Sequence, residues 1–264
     1  MMRHNVDLPM YAIHPQENQA LEAAVRELLQ ARGIAASLPS TATDLLSHWR
    51  QPDLLLSQTC GYPLVTLLPD VHTVGCFHYG APGCEGIEYR SLLVTRAANS
   101  PRQLADFHGL RAVCNSPDSQ SGYNVLRKMI APLARNGHFF GDVIFSGSHR
   151  QSLIDLQQGA GDIAAIDCIS WALLARHEPA VLEGLCVIER SPLAPGLPLI
   201  TGPQTSAETL AGLRAALQQL VSDLQYRERC DAQFICGFSP LTRAPYNRLL
   251  AWREEARLQG VSQL

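Results

Sequence analysis

Leu110-Arg-Ala-Val-Cys114, Val143-Ile-Phe145 and Ile163-Ala-Ala-Ile166 are three short apolar runs, each followed by a polar turn and then a helical pattern. The first passes through Asn115-Ser-Pro-Asp-Ser-Gln-Ser-Gly-Tyr123 into a helix expected from about Ser119 to Ala134. The second passes through Ser146-Gly-Ser-His149 into a helix expected from His149 to Gln158, and the third through Asp167 into a helix carrying Trp171 and Leu174. Strand, turn and helix in repeated order predict an α/β architecture, a mostly parallel sheet with helices on both faces.

Working outward, Leu21, Val25, Leu28 and Leu29 recur at helical spacing between Gln16 and Arg32, and Gly33 closes that helix. Asp53-Leu-Leu-Leu-Ser57, Val74 to Phe77 and Tyr89 to Thr95 read as strands, with the turn-rich Gly80–Gly86 before the last. Ser100-Pro101-Arg102-Gln103 reads as a helix start, with a serine cap and proline at the first helical position. Val187–Ile188 and Leu199–Thr201 bracket the proline-rich connector Ser191–Pro198. Beyond it, Thr205-Ser-Ala-Glu208 reads as a capping box opening a helix with Leu210, Leu213, Leu217, Leu220, Val221 and Leu224 on its apolar face. The economical assembly is two α/β lobes, 1–95 plus 198–264 and 96–197, with hinge strands near 90–97 and 187–201.

Composition narrows the function. With 264 residues, 46% hydrophobic and 17% charged, the chain can bury a proper core. A formal charge of −3 and scattered basic residues give no footprint for nucleic acid, which is excluded as the partner. Lys128 is the single lysine, so Schiff-base or P-loop lysine chemistry has no other position to use. No run approaches the roughly 18 to 20 apolar residues of a membrane span, so no membrane insertion is expected. Met1 to Pro15 shows no signal peptide, which places the chain as written in the cytoplasm, or in the periplasm if the written start omits a leader. The eight cysteines lack the spacing of a zinc site or a CxxC redox motif and read as buried free thiols.

In open α/β sheets, ligands bind beyond the carboxyl ends of strands, where helix amino termini present N–H groups and partial positive charge. Three such ends are rich in hydroxyls: Ser57-Gln-Thr-Cys-Gly-Tyr62, Asn115–Tyr123 and Ser146-Gly-Ser-His-Arg150. Together they would cradle a tetrahedral oxyanion. Taken singly, a serine before a helix is usually a cap worth about 1 kcal/mol. The same position in successive units favours the site. His149 reads as a donor to the anion, against simple solvation. Asp167 reads either as the cap of its own helix or as an acceptor for a protonated ligand oxygen or an amine.

These loops resemble the phosphate, phosphite and phosphonate substrate-binding family, the solute receptors of ABC importers with the type II periplasmic-binding-protein fold. The resemblance runs from about Leu8 to Phe238 and rests on Asp118-Ser-Gln-Ser-Gly-Tyr-Asn124, Ser146-Gly-Ser-His149, Gly161-Asp-Ile-Ala-Ala-Ile-Asp167 and Asp53-Leu-Leu-Leu-Ser-Gln-Thr59. It implies that Ser119, Gln120, Ser121 and His149 hold an oxyanion in the second lobe. Tyr11, Ser57, Thr59 and Tyr62, with Tyr89 at the hinge, would face it in an interlobe cleft, and Asp167 would read the ligand's distal group or proton.

The reading is therefore a solute-binding protein for a small oxyanion that closes about its hinge, needs no cofactor or metal, and works with an ABC permease or a signalling partner. An alternative is an enzyme on the same scaffold, with Cys60 as nucleophile and His149 as base. An effector-sensing module is a third reading, without a DNA-binding helix-turn-helix of its own. His72, Cys76 and His78 have spacing unsuited to a metal site and read as surface or core residues.

Overall fold

The computed structural model describes residues 5–37, 44–100 and 102–264. Residues 1–4 of the amino-terminal stretch, and Pro101 of the expected helix start, lie outside the described residues. The chain divides into two compact units. Unit 1 comprises Met1–Gly80, Glu85–Glu88 and Pro195–Tyr246, and unit 2 comprises Ala81–Cys84, Tyr89–Ala194 and Asn247–Leu264.

Along the first part of the chain, β1 is Asn5–Val6, α1 Pro15–Gln30, α2 Leu45–Trp49, β2 Leu54–Gln58, α3 Gly61–Thr66, β3 His72–Tyr79 and β4 Glu88–Tyr89. Then come β5 (Ser91–Arg96), β6 (Arg111–Cys114), α4 (Val125–Ile130), β7 (Asp142–Phe145), α5 (His149–Gln157), β8 (Ile163–Asp167), α6 (Cys168–His177) and β9 (Leu185–Arg190). Last are β10 (Ala194–Pro195), β11 (Pro198–Thr201), α7 (Ala207–Ser222), α8 (Arg227–Ala232), β12 (Ile235–Ser239) and α9 (Asn247–Leu258).

Unit 1 carries a sheet of order β1-β2-β11-β3-β12. β1 and β2 are parallel, β11 is antiparallel to both its neighbours β2 and β3, and β12 is antiparallel to β3. β1, β2 and β3 thus share one direction, and β11 and β12 oppose it. α1 packs against α7. Their buried faces, Leu21, Val25, Leu28 and Leu29 on one and Leu213, Leu217 and Leu220 on the other, have the spacing that the sequence pattern predicts. Burial of each such side chain is worth about 1.5–3 kcal/mol, which is what holds a helix of this length in place.

Unit 2 carries a sheet of order β7-β6-β8-β5-β9. β7, β6 and β8 are mutually parallel, whereas β5 is antiparallel to β8 and β9. The mostly parallel character expected of each lobe therefore holds for four strand directions here, and β5 is the exception. Ala112 is opposite Val143 on one side and Ile163 on the other, so the three parallel strands end close to one level.

Several expectations need correction. The strand expected to end lobe 1 at residue 95 belongs to unit 2, because β5 finds its ladder partners in β8 and β9. The carboxyl-terminal segment from Asn247 also belongs to unit 2, where α9 packs on α4. The expected helix start at Ser100 is instead a 3-10 turn, Leu104–Phe107, capped by Gln103, with the Asp106 carboxylate accepting from the Gln103 N–H at 2.8 Å. Leu104 and Phe107 are both buried, and a single turn suffices to bury residues three apart. The helix expected over 119–134 opens with a wide π turn, Gln120–Asn124, and closes with a 3-10 turn at Ala131–Leu133 that accommodates Pro132. At α7 the cap is Ser206, whose Oγ accepts from the Thr209 N–H at 3.1 Å, while the Thr205 hydroxyl bonds that of Thr201 at 2.6 Å. Leu224 lies past the end of α7 and is 69% exposed, so it is not part of the apolar face.

Candidate functional site

Three consecutive strand-to-helix turns of unit 2 meet at the carboxyl edge of the β7-β6-β8 trio. The β6 and β7 loops are tied to each other, since the Ser146 N–H donates to the Cys114 carbonyl at 2.9 Å and the Gly147 N–H to the Asn115 carbonyl at 3.0 Å. β8 packs against the π turn.

Ser119 begins that turn. Its Oγ accepts from the Gly122 N–H at 3.0 Å and its carbonyl accepts from the Asn124 N–H at 2.9 Å, the wide i to i−5 bond. A Cβ at Gly122 would overlap the Asn115 Oδ1, so any larger residue there requires the Asn115 side chain to shift. Gln120 is fixed by a chain of buried bonds in which the Arg127 guanidinium donates to Asn124 Oδ1 at 2.7 Å and Asn124 Nδ2 donates to Gln120 Oε1 at 2.8 Å. A buried guanidinium thus stands behind the cradle, where the sequence suggests only hydroxyls, dipoles and a histidine.

Ser121 Oγ and His149 Nε2 are 2.8 Å apart, joining the β6 and β7 turns through their side chains. Desolvation of the half-buried ring pulls the His149 pKa down to about 4, so the imidazole is neutral at pH 7. Its Nδ1 is buried and has no hydrogen-bond partner among the described residues. An orphaned buried N–H is rarer than an orphaned lone pair, which favours the tautomer protonated on Nε2. In that tautomer His149 donates to Ser121, and the Ser121 O–H remains available to donate onward.

Asp167 takes the cap role. Its Oδ1 accepts from the Ile169 N–H at 2.7 Å and the Ser170 N–H at 3.0 Å, in a fully buried setting. Ser148 likewise caps α5 through the Gln151 N–H at 3.1 Å, and the Ser146 hydroxyl pairs with that of Ser152 at 2.7 Å. Arg150 turns outward to the Glu178 carboxylate at 2.6 Å. Tyr89 is buried on β4, two residues before Ser91, which the β5 ladder pairs with Asp167. A groove of about 540 Å³ lies among residues that precede or begin β7, such as Asn136 and Asp142, and carboxyl-terminal residues such as Leu264. None of the expected site residues lines it.

In unit 1 the expected residues also follow strand ends. Tyr11 is in a 3-10 turn after β1, its ring edge-to-face on Tyr79 at 5.2 Å between centroids, and the Gln58 amide donates to the Tyr79 hydroxyl at 3.0 Å. Tyr62 is buried in α3. Ser57 departs from the expectation. It lies within β2 and is fully buried, and its Oγ accepts from the Trp49 indole N–H at 3.2 Å, so it serves the interior of the unit. The Thr59 hydroxyl, also fully buried, points to the Cys60 carbonyl at 3.4 Å.

Residues 71–246 match the family described as ABC transporter, phosphonate, periplasmic substrate-binding protein. The chain belongs to this family. No curated relative matches the chain in sequence. Among solved structures, the phosphonate transporter binding protein PA3383 from Pseudomonas aeruginosa is similar, with a TM-score of 0.79 and 16% identity over 99% of this chain and 90% of that one. PhnD1 from Prochlorococcus marinus, solved with methylphosphonate, has a TM-score of 0.78 and 14% identity over 98% and 99% of the two chains. XAC2383 from Xanthomonas citri, solved with ATP, has a TM-score of 0.74 and 16% identity over 98% and 99%. These likenesses show the fold, a two-lobed α/β periplasmic binding protein.

Membership of the phosphonate-binding family makes this a substrate-binding protein rather than a member of an enzyme family. No described helix is long and apolar enough to cross a membrane. Of the catalytic alternative, Cys60 is the buried residue preceding α3 in unit 1 and His149 is engaged by Ser121 in unit 2. His72, Cys76 and His78 go separate ways on β3. His72 Nε2 bonds the Pro203 carbonyl, His78 Nε2 bonds the Ser239 hydroxyl at 2.8 Å, and burial pushes the Cys76 thiol up to about 12. Sequence reasoning missed Asn115, Asn124 and Arg127. Asn124 closes the quoted Asp118–Asn124 motif, but its role needs Arg127 behind it, and nothing local signals that.

Proposed function

We propose that this phosphonate-family protein captures a small oxyanion, phosphate, phosphite or a phosphonate, at the carboxyl edge of the unit 2 sheet. The Ser121–His149 bond carries the reading. It presents a hydroxyl whose oxygen is already supplied with a proton from the ring, so its own O–H donates to the ligand. The Ser119 hydroxyl, which accepts from Gly122 and still has a proton to give, supplies a further donor, and Gln120, held by Asn124 on the same turn, is assigned to the cradle beside it. Helix amino termini add their N–H dipoles. Asp167, occupied by the α6 cap, is assigned to holding that helix rather than to reading a ligand group. Tyr89, in unit 2, is assigned as a secondary contact, whereas Tyr11 and Tyr62 belong to unit 1, as do Ser57 and Thr59, which support the β2 end. The partner is an ABC permease, with a signalling component as the second choice, and the family supports a periplasmic location.

Calorimetric titration of the intact chain with methylphosphonate, phosphite and phosphate tests this. At least one should bind, and Ser119→Ala with Ser121→Ala should weaken it by at least tenfold, each charge-assisted bond being worth about 1.5–3 kcal/mol. Unchanged affinity in a folded double variant would overturn the site. Absence of heat with every probe would overturn the function.

A further inference from the structure

Ala81–Cys84 packs with unit 2 although the residues on either side of it, up to Gly80 and from Glu85 to Glu88, belong to unit 1. The segment is a short tight turn, the Cys84 N–H donating to the Ala81 carbonyl at 3.1 Å. Gly83 has φ +107, and a Cβ there would meet Cys168 Cβ at 3.1 Å and Sγ at 3.3 Å, so only glycine lets the turn come this close to α6. The closeness brings two thiols together: Cys84 Sγ is 3.5 Å from Cys168 Sγ. Cys168 is the buried first residue of α6, held by its N–H to the Arg90 carbonyl at 3.1 Å, while Cys84 is partly exposed. One sulfur is reachable from solvent and the other waits behind it, and the two have to close from 3.5 Å to the ~2.05 Å of a disulfide.

We propose that Cys84 and Cys168 form a reversible dithiol–disulfide couple. The Cys84 thiolate attacks a small-molecule disulfide of the glutathione type, forming a mixed disulfide and expelling one thiolate. Cys168 then attacks Cys84 Sγ, the internal S–S bond forms as the mixed one breaks, and the second thiolate leaves. Two protein thiols are oxidised, one external disulfide is reduced to two thiols, and the two protons end on those thiols. The bond closes a separation of 84 residues and fastens the crossing segment to the start of α6, beside the Asp167 cap. It is independent of which ligand the protein binds.

The intact protein, incubated with glutathione disulfide, alkylated, digested and mapped by mass spectrometry, should yield a Cys84–Cys168 linked peptide lacking the mass of two hydrogens. Dithiothreitol should abolish it. Cys236→Ser, which removes an exposed thiol, should leave the link intact, and Cys84→Ser should leave Cys168 as the alkylated thiol. Recovery of both Cys84 and Cys168 as alkylated thiols from the oxidised wild-type protein would overturn the proposal, as would Cys84 found stably joined to glutathione or to a different cysteine. The decisive mapping is on the wild-type chain and does not depend on a variant folding.

Discussion

Ser121 Oγ and His149 Nε2 stand 2.8 Å apart and form a side-chain bond between the turns that follow two neighbouring strands, β6 and β7. Replacing His149 with alanine removes the donor that orients the Ser121 hydroxyl without touching the Ser119 or Gln120 groups. His149→Ala should weaken binding of the oxyanion probes by about tenfold, the value of one good hydrogen bond at about 1–1.5 kcal/mol. Titration calorimetry checks it, and an affinity equal to the wild type would show that the pair serves packing alone.

The same ring sets an acid limb to stability. Its folded pKa, about 4, is below the unfolded value near 6.5, so between these the unfolded chain binds a proton that the folded protein does not. Stability should therefore fall as pH drops from about 6.5 toward 4. Thermal melts between pH 6.5 and 5 should show this slope, and His149→Gln should flatten it.

His48 acts in the opposite sense. It is buried in unit 1 with Nε2 2.9 Å from Asp7 Oδ1, and that hydrogen bond raises its pKa against the effect of burial. The contribution is full below about 6.5 and is lost as pH rises through the folded pKa, because the folded protein keeps a proton that the unfolded chain has released. Asp7→Asn should remove this loss, seen as a flatter alkaline limb in the same melts.

Asp167 and Gly122 offer tests of local architecture. Asp167→Ala removes a buried cap that accepts two N–H groups, and should cost about 2 kcal/mol in urea unfolding, the upper end for a cap. Asp167→Asn, which keeps a capping oxygen, should recover most of it and leave oxyanion affinity within about twofold of wild type, a spread smaller than one hydrogen bond.

Gly122→Ala drives a methyl group into the Asn115 side chain, and overpacking of this kind costs about 1–3 kcal/mol. The π turn should shift, so both the melting midpoint and the oxyanion affinity should fall. A variant with unchanged midpoint would mean that Asn115 swings away freely.

The residues 110–167 were legible because their signals are local. Apolar runs too short for helices, serine and aspartate caps, and helical spacing announce each element without its neighbours. The unit boundary was not legible at 95, since Ser91–Arg96 reads as a strand in either unit and only its pairing with β8 and β9 decides. Asn247–Leu258 is likewise a helix whose sequence does not say which unit it covers. Ser57 misled because β2 is buried at every position, so alternation gave no inward and outward faces to read. Asn124 and Arg127 escaped notice because a buried charge is recognised by its partners, here Asn124 Oδ1 and the Ser262 carbonyl at 2.9 Å, one of them far along the chain.

What the sequence by itself determined is the α/β class, the order of elements and the three turns where helix amino termini gather, all consequences of backbone preference and periodicity within a few residues. What only the tertiary structure decided is which hydroxyls face one another and which face inward. Ser121 meets His149, Ser57 serves Trp49, and Cys84 meets Cys168 across 84 residues of chain. Such pairings depend on burial and strand register, which bring distant residues together and which no local pattern encodes.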